Sequence, residues 1–208
     1  MKVLILGGTG ATGRLLVDRL LSRGHKVTAM VRDPAKLALN EPLLTVVKGD
    51  VLDRTSLESA VAGQEAVVLC VGPGAAVKQS TLRTEAARNV VAAMAKAGVA
   101  RLVALSGLGA GASRASRGFL FDKITAPLFM RGVLEDQNGL EAEIRKSRLD
   151  WTVVRPGTMT DETGKGKVTV SLDGSHVTPN VARADVVLFL MDQLQTNEHV
   201  RRTPAIGY

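Results

Sequence analysis

The sequence predicts an α/β protein built on a doubly wound parallel sheet with helices on both faces. Short apolar runs alternate with helical patterns along its length, the arrangement of βαβ units. The first run, Val3-Leu4-Ile5-Leu6, breaks directly into Gly7-Gly8-Thr9-Gly10-Ala11-Thr12-Gly13 and then into an amphipathic stretch. At 208 residues, with 45% hydrophobic and 23% charged residues, the chain has the ordinary composition of one domain with a full core.

In chain order, the first strand is expected at residues 3–6. In the helix after the glycines, Leu15, Leu16, Leu20 and Leu21 recur at helical spacing and are expected to face the sheet. Strands follow at 27–31, 44–47 and 66–71, with a helix at 52–61. The Ala-rich stretch 79–97 reads as a helix that Gly98 caps. After a strand at 102–105, residues 107–118 carry almost no bulky apolar side chain and read as a mobile loop, either a ligand-binding one or a solvated connection. A helix around 134–146 leads into a strand at 151–154. Short strands and turns follow, including Val168-Thr169-Val170 and Asp173-Gly174, then a helix near 182–194 and a terminal strand near 200–204. No repeat or linker divides the chain. One domain over 1–208 is expected, with 155–208 as its smaller, substrate-side portion.

Charge and composition narrow the function. The net charge of +7 and pI near 9.9 invite a nucleic-acid partner, but Lys and Arg are scattered and only 3% of residues are aromatic, so no nucleic acid is expected. Anionic small molecules account for the bias. No apolar run reaches the roughly 18–20 residues that span a bilayer, and the first run is too short and too early for a signal peptide. No membrane partner is expected, and the expected location is the cytoplasm. The one cysteine, Cys70, ends an apolar run with no cation beside it and reads as a buried structural thiol.

The glycine-rich turn is a phosphate loop. Gly8, Gly10 and Gly13 fit G-x-G-x-x-G, and Gly7, Gly10 and Gly13 fit the alternative G-x-x-G-x-x-G. Either spacing lets backbone approach a pyrophosphate at a helix N-terminus, the dinucleotide site of a Rossmann-type fold. The expected contacts are Gly7, Gly8, Thr9, Gly10, Ala11, Thr12 and Gly13. At the end of the second strand, Arg32 precedes Asp33. A guanidinium there reads the NADP 2′-phosphate, so NADP is the expected cofactor, NADPH favoured over NADH, with Arg14 and Thr9 as helpers. The competing reading has Asp33 capping the Pro34 turn and Arg32 in water. Asp50 admits two roles, an acceptor for the adenine amino group or a cap for the following helix.

These residues extend to a family resemblance. The chain resembles the atypical short-chain dehydrogenase/reductases of the NAD(P)H-binding, NmrA-like group, and most of all the flavin reductase/biliverdin-IXβ reductase family. The similar segments are the glycine loop, the strand ending Val31-Arg32-Asp33, Gly49-Asp50-Val51 and Glu85-Ala86-Ala87-Arg88-Asn89-Val90-Val91-Ala92-Ala93. Further on come Asp150-Trp151-Thr152-Val153-Val154-Arg155-Pro156 and Val168-Thr169-Val170-Ser171-Leu172-Asp173-Gly174. The resemblance implies a monomer that uses NADPH to reduce flavins or related planar substrates. Val51, Val71, Gly72, Ser106, Pro156 and Gly157 join Asp50 as expected cofactor contacts, with Thr158, Met159 and Lys123 on the substrate side.

The chemistry departs from the superfamily's Ser, Tyr and Lys set. Ser106 is followed at matching spacing by Phe119 and Lys123, so the phenol that would protonate a carbonyl is absent. Tyr208 is the last residue. Reduction of a flavin ring needs alignment more than a protein acid, and Ser106, at its strand tip, is the expected catalytic residue. Where the flavin and biliverdin reductases carry a histidine after the strand proline, this chain has Gly157. His25, His176 and His199 lie elsewhere, and no cluster has metal-ligand spacing. The expected activity is therefore an NADPH-dependent reduction of FMN, riboflavin or a similar acceptor such as biliverdin or a quinone. The alternatives are an NADP-binding, NmrA-like sensor without chemistry, and a reductase or epimerase whose Lys123 and Arg155 bind a substrate phosphate.

Overall fold

Val3, Leu4, Ile5 and Leu6 are completely buried, because the strand they form lies between two parallel neighbours at the centre of a sheet. A computed structural model describes residues 1–72, 81–111 and 131–208. Its strands are β1 (Lys2–Leu6), β2 (Lys26–Val31), β3 (Leu44–Lys48), β4 (Ala66–Leu69), β5 (Arg101–Leu105), β6 (Asp150–Pro156), β7 (Thr158–Thr160), β8 (Thr169–Ser171), β9 (Asn180–Ala182) and β10 (Ala205–Gly207). The helices are α1 (Ala11–Ser22), α2 (Arg54–Val61), α3 (Leu82–Ala97), α4 (Arg131–Arg145) and α5 (Arg183–Gln195).

The main sheet runs β3-β2-β1-β4-β5-β6-β10-β8, parallel except for β8 against β10, while β7 and β9 pair separately. The order reverses between β1 and β4, and such a reversal opens a crevice at the carboxyl ends of the strands. Successive side chains of a strand alternate faces. Leu4 and Leu6 accordingly pack with α2, α3 and α4, while Val3 and Ile5 pack with α1 and α5. This is the doubly wound Rossmann-like α/β architecture that the alternating pattern predicts.

Several local expectations shift. In α1 the buried residues include Leu16, Val17 and Leu20, with Leu15 and Leu21 only half-buried, because the phosphate loop turns the helix so that Thr12 and Gly13 also face inward. The predicted helix at 52–61 begins at Arg54, since the Asp53 carboxylate accepts the Thr55 and Ser56 amides as its N-cap. Gly98 does cap α3, in left-handed conformation. The terminal strand is not at 200–204 but at Ala205–Gly207. Pro204 has no N–H for a ladder and contributes its carbonyl to the Arg155 amide at 2.8 Å, so strand pairing proper starts one residue later. Of the expected mobile loop, residues 107–111 are anchored, with Leu108 and Ala110 buried and the Leu108 amide on the Pro156 carbonyl at 2.8 Å. Residues 112–118 lie outside the described residues.

Candidate functional site

The site begins at the turn between β1 and α1. Gly7 adopts φ +96°, and a Cβ there would lie 2.6 Å from the Cys70 carbonyl, so the loop closes against the end of β4 only because the position is glycine. A Cβ on Gly13 would collide with the Gly7 carbonyl, so this glycine sets how closely α1 approaches the loop. Gly10 is the N-cap and has no side chain to offer the helix, whose first internal bond runs from the Arg14 amide to the Gly10 carbonyl at 2.8 Å. The amides of Ala11, Thr12 and Gly13 thus open the helix without intrahelical partners, the donor arrangement that suits a pyrophosphate.

A cavity of about 670 Å³ adjoins this loop over the carboxyl ends of the strands. Gly10, Ala11, Thr12 and Gly13 form one side, and Cys70, Val71, Gly72, Leu105, Ser106, Gly107 and Leu108 the floor. Pro156, Gly157, Thr158 and Met159 follow from β6 and β7, with Val177, Pro179 and Arg183 beyond them and Arg83 and Gln137 on the α3–α4 wall. The structure thus brings together Ser106, Val71, Gly72, Pro156, Gly157, Thr158 and Met159. Gly7, Gly8, Thr9, Arg32, Asp50 and Val51 do not line this cavity.

Ser106 is buried, and its hydroxyl donates to Glu141 Oε1 at 3.0 Å. Glu141 is clamped by Arg155, whose Nε meets Oε1 at 2.8 Å and whose Nη2 meets Oε2 at 2.6 Å, and by Arg145 Nη2 at 2.9 Å. The serine proton therefore points inward to a carboxylate, and the oxygen lone pairs are what it offers a ligand. Arg155 and Glu141 have side chains 0% and 1% exposed. Arg155 is consequently not available for a substrate phosphate, which corrects that expectation; Lys123 and Phe119 lie outside the described residues.

The arginines of the cavity carry no local sequence signal. Arg183 opens α5, donates through Nη1 to the Thr12 hydroxyl at 2.9 Å and through Nε to Asp161 at 2.7 Å, and so sets a cation against the phosphate loop. Arg83 lies in the first turn of α3. A signal did exist for Glu141: an arginine between Val154 and Pro156 in an apolar strand demands a buried partner.

At the other end of the crevice, Arg32 is exposed after β2. Asp33 accepts the Ala35 amide at 3.2 Å and caps the turn at Pro34–Leu37. Arg14 reaches the same turn through the Lys36 carbonyl at 3.4 Å. Asp50 is not the helix cap, a role Asp53 fills; its carboxylate accepts the Leu52 amide at 3.0 Å. The Val51 side chain belongs to the core, and its carbonyl accepts from Asn89.

Cys70 is partly rather than fully buried, and desolvation pushes its thiol pKa up to about 12, which keeps the thiol protonated at neutral pH. Tyr208 is committed elsewhere, donating to Asp185 at 2.7 Å and accepting the Ala182 amide at 3.1 Å. A Cβ on Gly157 would collide with the Pro179 carbonyl, so backbone occupies the room a histidine would need. His176 is exposed on a turn, outside the cavity lining. Among the described residues no group of His, Cys, Asp or Glu is placed to hold a metal, and no helix is long and apolar enough to cross a membrane.

Comparison with known proteins agrees with this geometry. The family model described as NAD(P)H-binding matches residues 7–197. An uncharacterized chloroplastic protein of Arabidopsis thaliana is 29% identical over 95% of this chain and 73% of its own length. Among solved structures, a short-chain dehydrogenase/reductase of Veillonella parvula in complex with NADP superposes with a TM-score of 0.85 at 19% identity, covering 100% of this chain and 94% of that one. ChuY, an anaerobillin reductase of Escherichia coli O157:H7, does so with a TM-score of 0.81 at 22% identity, covering 100% and 97%. At these identities the structural likenesses speak for the fold.

Proposed function

The chain belongs to the NAD(P)H-binding family, and from that premise we propose that it is an NADPH-dependent reductase of a flavin or a similar planar acceptor, such as biliverdin or a quinone. One observation carries the reading. The cavity beside the phosphate loop is lined by small and apolar groups, Ser106, two arginines and an amide, and among the described residues its lining includes no His, Tyr, Lys, Asp or Glu. Such a site aligns two flat rings and supplies no acid for a carbonyl oxygen.

Bound NADPH supplies the hydride. Gly7 to Gly13 and the open amides of α1 hold its pyrophosphate, Arg32 with Arg14 takes the 2′-phosphate, and Asp50 takes the adenine. Arg183, braced by Asp161, adds positive charge beside Thr12. Ser106 accepts a hydrogen bond from a ring or amide N–H and fixes alignment, its own proton being committed to Glu141. Val71, Gly72, Pro156 and Gly157 shape the floor, Thr158 and Met159 face the acceptor, and residues 155–208 form the substrate-side portion. The reading includes a monomer, which the family resemblance implies, and a cytoplasmic location.

The lack of an acid among the described lining residues also favours a second reading, an NADP-binding sensor that does no chemistry. Anaerobic oxidation of NADPH with FMN as acceptor, and NADH run beside it, decides between them. NADPH-selective consumption is expected; binding of NADPH without consumption would transfer the assignment to the sensor or to an acceptor other than FMN.

A further inference from the structure

Arg83 is a cation with unused donors. Its side chain is 15% exposed and lines the cavity beside Gly72, where a Cβ would lie 3.2 Å from Nη2. The nearest carboxylate, Asp136, is already occupied: Oδ2 accepts the Arg83 amide at 3.1 Å, and Oδ1 accepts the Thr84 amide and hydroxyl, both at 3.0 Å. The guanidinium lies 3.6 Å from Asp136 Oδ2, an ion pair beyond hydrogen-bonding reach, and Nη1 is buried with no hydrogen-bond partner. The contrast is Arg183, whose donors are engaged by Asp161 and Thr12. Among the described lining residues no carboxylate competes for Arg83.

Burial pushes the pKa of Arg83 down, with Asp136 acting in opposition, yet a guanidinium keeps its charge. A partly buried cation with spare donors at a cavity wall is matched by an oxyanion, which a planar fork engages through parallel hydrogen bonds. We propose that Arg83 forms an anion subsite for the acceptor, so that this protein selects planar acceptors bearing a phosphate or carboxylate tail over neutral ones. The inference rests on the reductase reading, but binding tests it apart from turnover.

The probes are FMN, which carries a phosphate, and riboflavin, which does not. Their dissociation constants are measured by flavin fluorescence on the protein saturated with NADP⁺. FMN is expected to bind about 10-fold or more tightly than riboflavin, the difference of a charge-assisted hydrogen bond. Arg83→Met is expected to erase that preference with the NADP⁺ dissociation constant unchanged, and Arg83→Lys to retain part of it. The lysine variant also decides the matter if the methionine variant does not fold. Equal binding of the two flavins, or a preference that survives in Arg83→Met, overturns the subsite while leaving the reductase reading to the turnover assay. Arg83-dependent FMN binding without turnover upholds the subsite and overturns flavin reduction. Binding of neither flavin overturns the subsite and the flavin acceptor together.

Discussion

Ser106 shows how a hydroxyl's role depends on where its proton goes. Because Glu141 takes that proton at 3.0 Å, the oxygen is left as an acceptor and cannot act as an acid toward a carbonyl. Ser106→Ala is expected to lower kcat/KM for FMN by roughly 10-fold, the size of one lost hydrogen bond. Full turnover in that variant would remove Ser106 from the reaction. Arg32 is the second residue whose role is separable. Exposed at the end of β2 and near the turn that Arg14 also reaches, it is the proposed contact for the 2′-phosphate. Arg32→Ala should weaken NADPH by roughly 10- to 100-fold, a charge-assisted contact, and leave NADH nearly untouched. Titration of both nucleotides checks this, and equal losses would end the assignment.

Between elements, the decisive link is the buried pair that ties α4 to β6 behind Ser106. Glu141 and Arg155 have almost no exposure, and removing Glu141 leaves Arg155 charged and without its partner. Glu141→Leu is expected to destabilise by about 3–5 kcal/mol, and the double variant with Arg155→Met by much less, because an apolar pair carries no desolvation penalty. Urea unfolding of both singles and the double reads the coupling, and simple additivity would show the pair to be independent. The strand-to-turn passage after Pro156 illustrates a different constraint. Gly157 meets the carbonyls of Thr178 and Pro179, so the absent histidine reflects how β6 and the 177–179 segment approach each other. In the sequence that glycine reads only as a departure; its cause is a contact from residues further along the chain.

At the scale of the whole molecule, pH acts through His25, which begins the path into β2. It is buried with Nδ1 lacking a partner, and its pKa is lowered from 6.5 by burial first, then by the N-terminal amino group and Arg23. The unfolded chain therefore binds more protons between the two pKa values, and stability rises with pH across that window. His25 contributes its full stability above about pH 6.5 and loses it as pH falls toward the folded value. The thermal midpoint should drop from pH 7.5 to 5.5, and His25→Gln should flatten the drop; identical slopes would place the effect elsewhere. The sequence by itself determined the alternation of strands and helices, the glycine-rich turn between β1 and α1, and Ser106 at a strand tip. Those features rest on periodicity and on glycine's backbone freedom, which act over a few residues. Only the tertiary structure decided which distant groups meet there: Arg183 on Thr12 across 171 positions, Asp136 on Thr84 across 52, and Glu141 on Ser106 across 35. Burial and charge pairing are properties of neighbours in space, and a sheet that reorders its strands makes those neighbours from residues the sequence keeps far apart.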